Sequence, residues 1–296
     1  MTKTAALFPG QGSQYTGMGR KLTDNETLAD KFSLADEMLG YSLSTLMFEG
    51  PDEKLRQTEY TQPAIFLHSI LLFEQSGLKP DMVAGHSLGE YSAVVAAGVM
   101  DLESGLELVS LRGRLMQQAG ENKPGAMAAV IGLEDRIVEE VCFEASESSG
   151  EKVVPANYNC PGQLVISGEP TAVDLAMEKA KERGCRMAKR LPVSGAFHSP
   201  LMSAARDGLK GKLEETAFSS PTCPVYSNTT AEAVTDPEQI RANLLEQLLS
   251  PVLWTQTLNA MRNDGAERFV ECGPGKVLQG LVKRTLRDVT IEGTDE

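Results

Sequence analysis

Short apolar runs alternate with helical stretches along the first part of the chain. Residues 4–8 (TAALF) and 81–85 (DMVAG) predict strands, because each is a brief apolar run bounded by proline or glycine. Longer stretches of periodic apolar residues predict helices over 26–39, 90–100 and 103–118. This alternating order predicts a mostly parallel sheet covered by helices, an α/β fold.

A further apolar helix, AIFLHSILLFEQSG, lies before the second strand. Thr61 is placed to cap this helix, Pro63 suits its opening turn, and Gly77 is a typical end signal. We therefore expect the helix to open at Pro63.

Between residues 124 and 192 the order changes to strand, helix, strand, strand, helix, strand. The expected strands are 125–132, 152–159, 162–168 and 185–192, and the expected helices are 134–148 and 170–184. Such a split β-α-β unit can close into a small sheet of its own. We predict an inserted subdomain at 124–192, within a larger domain that residues 1–123 and 193–296 form together.

After the insertion the pattern returns to that of the larger domain. A strand is expected at 224–228, a helix at 237–249, and then a strand through Arg268 followed by a last helix. The final residues, 292–296 (EGTDE), are expected to form a loose tail.

Composition limits the partners that this fold can have. The chain of 296 residues is 41% hydrophobic and 23% charged, which is typical of a globular protein. A net charge of −13 argues against nucleic acid, since binding phosphates requires an excess of Lys and Arg. No run approaches the roughly 18 apolar residues of a membrane span, and MTKTAALFPGQG predicts a strand rather than a signal peptide.

Cysteine and histidine usage argues against a metal site. The five cysteines are scattered without a C-x-x-C pair, and the three histidines include no H-E-x-x-H motif. Scattered cysteines of this kind are typical of reduced cytosolic proteins. We therefore expect a cytoplasmic protein that binds no metal and does not associate with a membrane.

The sequence GHSLG places Ser87 between two glycines in the pattern G-x-S-x-G. A predicted strand precedes it and a predicted helix follows, which is the context of a nucleophile at a sharp turn. A Cβ at Gly85 or Gly89 would crowd such a turn, and the first N–H groups of the helix face a developing oxyanion. The alternative is a serine that only caps the helix.

A serine nucleophile needs a base, and three histidines are candidates. His68 falls in a helix that is apolar nearly all round, so we expect it in the core. His86 adjoins Ser87, and neighbouring side chains on a sharp turn point apart. His198, in the loop VSGAFHSP, is therefore the predicted base, although a histidine on a surface loop is the alternative.

Arg112 falls on the apolar face of the helix at 103–118, whereas Arg114 falls on the polar face. A guanidinium that points inward without a partner is costly. Either it pairs with a buried acid, or it awaits an anionic substrate such as a carboxylate, which its planar fork suits.

The loop PGQGSQYTGMG is a poor match to a nucleotide-binding motif. Tyr15 stands where the dinucleotide fingerprint has its third glycine. We therefore expect no nucleotide cofactor, and the loop can instead donate a main-chain N–H to an oxyanion.

Seven motifs occur in an order that resembles the malonyl-CoA:acyl carrier protein transacylases of bacterial fatty acid synthesis. They are FPGQGSQ, TQPA, GHSLGEYSA, RG at 112–113, NYNCPGQ, GAFHSPLM and ECGPGKVL. That family has an α/β hydrolase-like core with an inserted ferredoxin-like (βαββαβ) subdomain, which agrees with the predicted order of elements.

The resemblance implies a ping-pong acyltransferase in which Ser87 attacks the malonyl thioester of coenzyme A, with His198 as base. The phosphopantetheine thiol of acyl carrier protein then takes the acyl group. Arg112 would bind the malonyl carboxylate, and the main-chain N–H groups of Gln11 and Leu88 would bind the oxyanion.

Four further positions match the motifs of the family. Gln62 would line the pocket, Asn159 would lie near the coenzyme, and Phe197 resembles the malonyl-selective pattern. The main-chain carbonyl of Gln247 would orient the histidine in place of a carboxylate. Coenzyme A is a substrate in this reaction, so no cofactor is expected.

The resemblance implies malonyl-CoA and acyl carrier protein as partners. We expect the protein itself to be a monomer. A basic group could contact the acidic carrier, and it comprises Lys189, Arg190, Lys276, Lys283, Arg284 and Arg287. Three alternatives stay open: an acyltransferase that loads polyketide synthase carriers, a serine esterase or thioesterase, and an inactive docking subunit.

Overall fold

The computed structural model describes residues 2–193 and 195–295. The strands are β1 (Lys3–Phe8), β2 (Met82–Gly85), β3 (Ala126–Ile131), β4 (Val153–Cys160), β5 (Gln163–Gly168), β6 (Met187–Arg190), β7 (Val225–Tyr226), β8 (Ala233–Val234), β9 (Ala266–Glu271) and β10 (Thr290–Gly293). The helices are α1 (Glu26–Leu39), α2 (Leu43–Glu49), α3 (Asp52–Leu55), α4 (Thr58–Ser76), α5 (Leu88–Ala96), α6 (Leu102–Asn122), α7 (Asp135–Ser149), α8 (Pro170–Glu182), α9 (Ser203–Glu215), α10 (Pro237–Glu246), α11 (Trp254–Asn263) and α12 (Val277–Thr285). Short 3-10 helices span Arg20–Asp24 and Pro200–Met202.

The larger sheet has six strands in the order β10-β9-β1-β2-β7-β8. Its neighbouring strands are parallel except for β7 and β8. Successive side chains of β1 alternate between two cores, because a strand has a period of two. Ala6 and Phe8 pack in the core that includes α4, α5 and α6, whereas Ala5 and Leu7 pack in the core that includes α11 and α12.

The smaller sheet is antiparallel and has the order β4-β5-β3-β6. Apolar side chains of α7 and α8 pack with its inner face in a separate core. The chain order is βαββαβ, so the ferredoxin-like unit and the mostly parallel α/β core are confirmed. The domain boundaries at residues 124 and 192 stay a prediction.

Three loops meet at one edge of the larger sheet. Strand β1 leads to Gln11, β2 leads to Ser87, and β7 leads to Asn228. Because β1, β2 and β7 are parallel neighbours, their carboxyl ends lie side by side, where α/β proteins place ligands.

The start of helix α4 differs from the prediction for a physical reason. Helix α4 begins at Thr58 rather than at Pro63, because the buried side chains of Thr58, Thr61 and Gln62 pack the extra turn against the core. Pro63 then sits inside the helix, where its missing N–H removes only one backbone hydrogen bond. The extra turn is the one that carries Gln62.

Up to Asp295, the C-terminal residues do not form the loose tail that the sequence predicted. Strand β10 adds a parallel edge to β9. The Asp295 carboxylate then accepts a hydrogen bond from the Tyr15 hydroxyl at 3.0 Å and from the Gly275 N–H at 2.8 Å. Glu296, also part of that prediction, lies outside the described residues.

Close packing of the main chain leaves no room for a side chain at Gly89. A Cβ added there would lie 1.9 Å from the carbonyl oxygen of Phe8. We expect Gly89→Ala to lower the free energy of unfolding by about 1–3 kcal/mol or more, because the backbone must move to admit the methyl group. Chemical denaturation measures this change.

The matched control is Gly211→Ala, in the middle of α9. A Cβ at Gly211 meets no atom within 4 Å, and alanine favours a helix over glycine. This variant should be neutral or slightly stabilised. Equal stabilities for the two variants would contradict the steric argument.

Candidate active site

Ser87 stands at a sharp turn between β2 and α5. Its φ of 53° and ψ of −106° lie in a region that non-glycine residues avoid, which indicates backbone strain. A Cβ at Gly85 would lie 1.9 Å from the Gly89 carbonyl, so glycine is required there. Among the described residues, the Ser87 hydroxyl makes no helix-capping hydrogen bond, which argues against the capping alternative.

Asn228 braces this turn, and the sequence analysis did not identify it. Its side-chain carbonyl accepts the Ser87 N–H at 2.7 Å, and its side-chain amide donates to the Gly85 carbonyl at 2.7 Å. The contact with Gly85 is buried and the contact with Ser87 is partly buried, so the main chain of the turn is fixed on both sides of the strained residue. The available signal was its position directly after a strand of the parallel sheet, where functional side chains gather.

His198 reaches Ser87 from the loop that follows the smaller sheet. The distance from its Nε2 to Ser87 Oγ is 2.7 Å, and its Nδ1 lies 2.9 Å from the main-chain carbonyl oxygen of Gln247. A carbonyl only accepts, so Nδ1 carries the hydrogen and Nε2 is left to accept the serine proton. The alternative of a surface histidine is excluded, because His198 is buried.

The surroundings of His198 keep its imidazole neutral. Burial, and after it the nearby positive charge of Arg112, together lower the pKa of His198 from 6.5 to about 3, against the opposing effect of the Gln247 carbonyl. A neutral imidazole is the form that can accept a proton.

Arg112 is fully buried, with 1% of its surface exposed. Its guanidinium donates to the side-chain oxygens of Gln62 at 2.8 Å, Gln247 at 2.9 Å and Ser87 at 3.1 Å. It also lies 5.4 Å from the ring centroid of Tyr91. Within the described part of the chain, no carboxylate lies within ion-pair distance of it, and its Nε has no hydrogen-bond partner. The direct-pairing alternative is therefore wrong.

A buried acid is connected to this cation through the side chain of Gln247. Glu90 is 2% exposed, and it accepts a hydrogen bond from the side-chain amide of Gln247 at 2.6 Å. Burial raises the pKa of Glu90 to about 7, against the opposing effects of Gln247 and Arg112. Glu90 falls among the apolar residues of its helix, which is the same signal that identified Arg112.

Ser87, His198 and Arg112 face a cavity of about 110 Å³. Gln11, Leu88 and Gln62 also line it, and its apolar wall consists of Met116, Met127, Leu191, Val193 and Phe197. The cavity is small, so it suits a short acyl group.

The remaining predicted residues have clear positions. Leu88 is the first residue of α5, where main-chain N–H groups have no partner within the helix. The Gln11 side chain donates to the Thr58 hydroxyl at 3.2 Å, which holds the loop after β1 against α4. The Gln62 side chain contacts both Arg112 and Met116. Its amide nitrogen lies 3.2 Å from the sulfur of Met116.

Asn159 is not among the residues that line this cavity, and its place near the coenzyme stays a prediction. Its side-chain oxygen lies 2.8 Å from Nε2 of His86, whose ring packs on the edge of Trp254. Asn157, two residues earlier, lines the cavity instead. His68 is buried in α4, as expected, and its Nε2 lies 4.0 Å from the Asp295 carboxylate.

The described residues hold no group of three or more His, Cys, Asp or Glu side chains that could bind a metal ion. Across the same residues, no helix is both long enough and apolar enough to cross a bilayer. The site itself brings together a serine, a base and a buried cation, an arrangement suited to acyl transfer.

Comparison with known proteins agrees with this geometry. The sequence model of the acyl transferase domain matches residues 6–294. The chain is 45% identical over 291 residues to the malonyl CoA-acyl carrier protein transacylase of Bacillus subtilis, covering 97% of this chain and 92% of that one. The protein of the same name from Escherichia coli K12 is 43% identical, and the match covers 100% of this chain and 97% of that one.

Solved structures give the same result. An acyl carrier protein S-malonyltransferase from Vibrio cholerae has a TM-score of 0.94 at 44% identity, covering 100% of this chain and 97% of that one. A malonyl-transacylase solved in complex with a type II polyketide synthase acyl-carrier protein has a TM-score of 0.93 at 40% identity, covering 100% and 97%. The chain therefore belongs to the acyl transferase domain family and is an acyltransferase.

Proposed function

We infer that this protein transfers a malonyl group from coenzyme A to the phosphopantetheine thiol of acyl carrier protein, supplying malonyl-carrier protein for fatty acid biosynthesis. The observation that carries this inference is the convergence of three side chains. Ser87 Oγ lies 2.7 Å from His198 Nε2 and 3.1 Å from the guanidinium of Arg112. The relatives named as malonyl transacylases support the same substrate.

The first half-reaction forms an acyl-serine. His198 Nε2 takes the Ser87 proton while Oγ bonds to the thioester carbon, and the main-chain N–H groups of Gln11 and Leu88 receive the oxyanion. When the C–S bond breaks, the imidazolium returns the proton to the departing thiolate of coenzyme A. The second half-reaction runs the same steps in reverse, with the carrier thiol giving its proton to His198.

Selection of a malonyl group follows from the buried cation. Arg112 places a positive charge beside the nucleophile, so an acyl group with a carboxylate two carbons from the thioester carbonyl can meet both at once. A carboxylate pairs with guanidinium through short charge-assisted hydrogen bonds. A serine esterase or thioesterase has no need of such a cation, and the intact serine–histidine contact argues against an inactive docking subunit.

A second candidate is an acyltransferase that loads polyketide synthase carriers. The complex of a 40% identical malonyl-transacylase with such a carrier is the observation that favours it. The acyl-serine chemistry is the same in both cases. A panel of purified carrier proteins from the two pathways separates the candidates by their rates of malonyl transfer.

We also propose that the protein acts as a cytoplasmic monomer and docks its carrier through basic side chains. The six basic residues named above, on β6 and in and around α12, are exposed, and an acidic carrier would be attracted to them. Free cysteines are typical of a reducing compartment. The large apolar side chains exposed in the described residues lie in separate elements, as is normal for a monomer.

Acylation of Ser87 is the direct test of the proposed function. Intact-protein mass spectrometry after brief mixing with malonyl-CoA should show one malonyl adduct, and peptide mapping should place it on Ser87. Ser87→Ala should form none, since no hydroxyl remains to attack. An adduct on another residue, or none on the parent protein, would refute the assignment.

Arg112 is expected to distinguish malonyl from acetyl groups. Arg112→Ala should lower kcat/KM for malonyl transfer by a factor of about 10² or more, because a charge-assisted pair is lost. Acetyl transfer should fall less. Arg114→Ala, two residues along the same helix and exposed, is the control and should change neither rate. Equal losses for the two acyl groups would show that Arg112 does not bind the carboxylate.

The pKa of His198 predicts the pH dependence of serine reactivity. With that pKa lowered to about 3, the imidazole stays unprotonated as pH falls through 6.5. The rate at which a neutral fluorophosphonate labels Ser87 should therefore stay constant from about pH 8 to about pH 5. Half-loss of labelling near pH 6.5 would show an ordinary histidine.

A further inference from the structure

Glu90 is a buried carboxylate that the reaction described above does not use. It is the third residue of α5, three positions after the nucleophile, and it is 2% exposed. A carboxylate withdrawn from water is costly unless it is hydrogen-bonded. Its Oε2 accepts the side-chain amide of Gln247 at 2.6 Å and the main-chain N–H of Asn228 at 3.3 Å.

The side chain of Gln247 connects Glu90 to the reacting groups. Its amide nitrogen has two hydrogens, which are directed to the Glu90 carboxylate and to the Ser87 main-chain carbonyl at 2.9 Å. Its amide oxygen accepts from the guanidinium of Arg112 at 2.9 Å. The main-chain carbonyl of the same residue accepts a hydrogen bond from Nδ1 of His198. One residue therefore contacts all three groups of the site.

Each contact of Gln247 has a fixed direction. A guanidinium only donates, so the amide must turn its oxygen to Arg112, which leaves its nitrogen to donate to Oε2 of Glu90. Gln247 is fully buried, and no water replaces a lost partner without a change of packing. Without the Glu90 acceptor, one hydrogen of the Gln247 amide and the Asn228 N–H are left unpaired, which is costly for buried groups.

We propose that Glu90 is a positioning residue: it anchors the Gln247 amide and, through that amide, holds the guanidinium of Arg112 where it meets the substrate carboxylate. This proposal rests on the proposed function, because it concerns selection of malonyl over acetyl. The feature that matters is an acceptor oxygen at the position of Oε2, rather than the negative charge itself.

Two substitutions separate these properties. Glu90→Asp keeps the charge but withdraws the acceptor by one methylene group. Glu90→Gln keeps an acceptor at the right distance but removes the charge, and its oxygen must face Gln247 and Asn228, since both of those groups donate. The matched control is Glu271→Asp, which shortens another buried carboxylate that accepts two main-chain N–H groups, those of Leu278 and Gln279.

The readout is the ratio of kcat/KM for malonyl-CoA to kcat/KM for acetyl-CoA in transfer to carrier protein. We expect Glu90→Asp to lower this ratio about ten-fold, the effect of about 1.4 kcal/mol lost on the malonyl side alone. Glu90→Gln should keep the ratio within about three-fold of the parent. Glu271→Asp should lose stability in thermal denaturation without changing the ratio.

Retention of the parent ratio by Glu90→Asp would overturn the proposal. So would a ten-fold loss in Glu90→Gln, which would show that charge rather than the acceptor matters. If Glu90→Asp does not fold, the Glu90→Gln arm still tests the proposal, because the ten-fold loss would overturn it. A parent protein that forms no malonyl-serine at all would instead refute the proposed function, so the two failures are distinguishable.

Discussion

The buried positive charge of Arg112 is the constraint on which the rest of the site depends. Removing a guanidinium from water costs several kcal/mol, and here no carboxylate of the described residues contacts it directly. Two amide oxygens, one hydroxyl and the face of a tyrosine ring compensate in part. Glu90 is connected to the cation through the side chain of Gln247. The folded protein can therefore hold this buried charge, and the charge still attracts an anion.

Steric constraints in the main chain shape the turn that carries the nucleophile beside that cation. Gly89 lets α5 approach the end of β1 so closely that any side chain would overlap with a carbonyl. The approach forces Ser87 into a strained conformation, and Asn228 from the next strand fixes its main chain. Helices α4 and α6 then deliver Gln62 and Arg112 from the same core. The strain is maintained by neighbours on both sides, which is how functional sites hold unfavourable conformations.

Local signals in the sequence identified one part of this arrangement, and long-range contacts determine the other part. The glycines around Ser87 and the apolar neighbours of Arg112 are visible within one turn of chain, so both residues could be predicted. The contacts of Asn228 and Glu90 join residues 141 and 157 positions apart, which no periodicity records. Helices α2 and α3 and strand β10 are too short for a periodic pattern, and two glycines weaken the pattern of α9.

The same electrostatics connect substrate choice to the strength of the base. After burial, the charge of Arg112 is the largest cause that lowers the pKa of His198, so the empty site holds a weak base. A malonyl carboxylate bound to Arg112 opposes that charge and therefore raises the basicity of the imidazole next to Ser87. An acetyl group or a water molecule brings no such charge. In the proposed reaction, the substrate that fits the cation is thus also the one that best activates the serine.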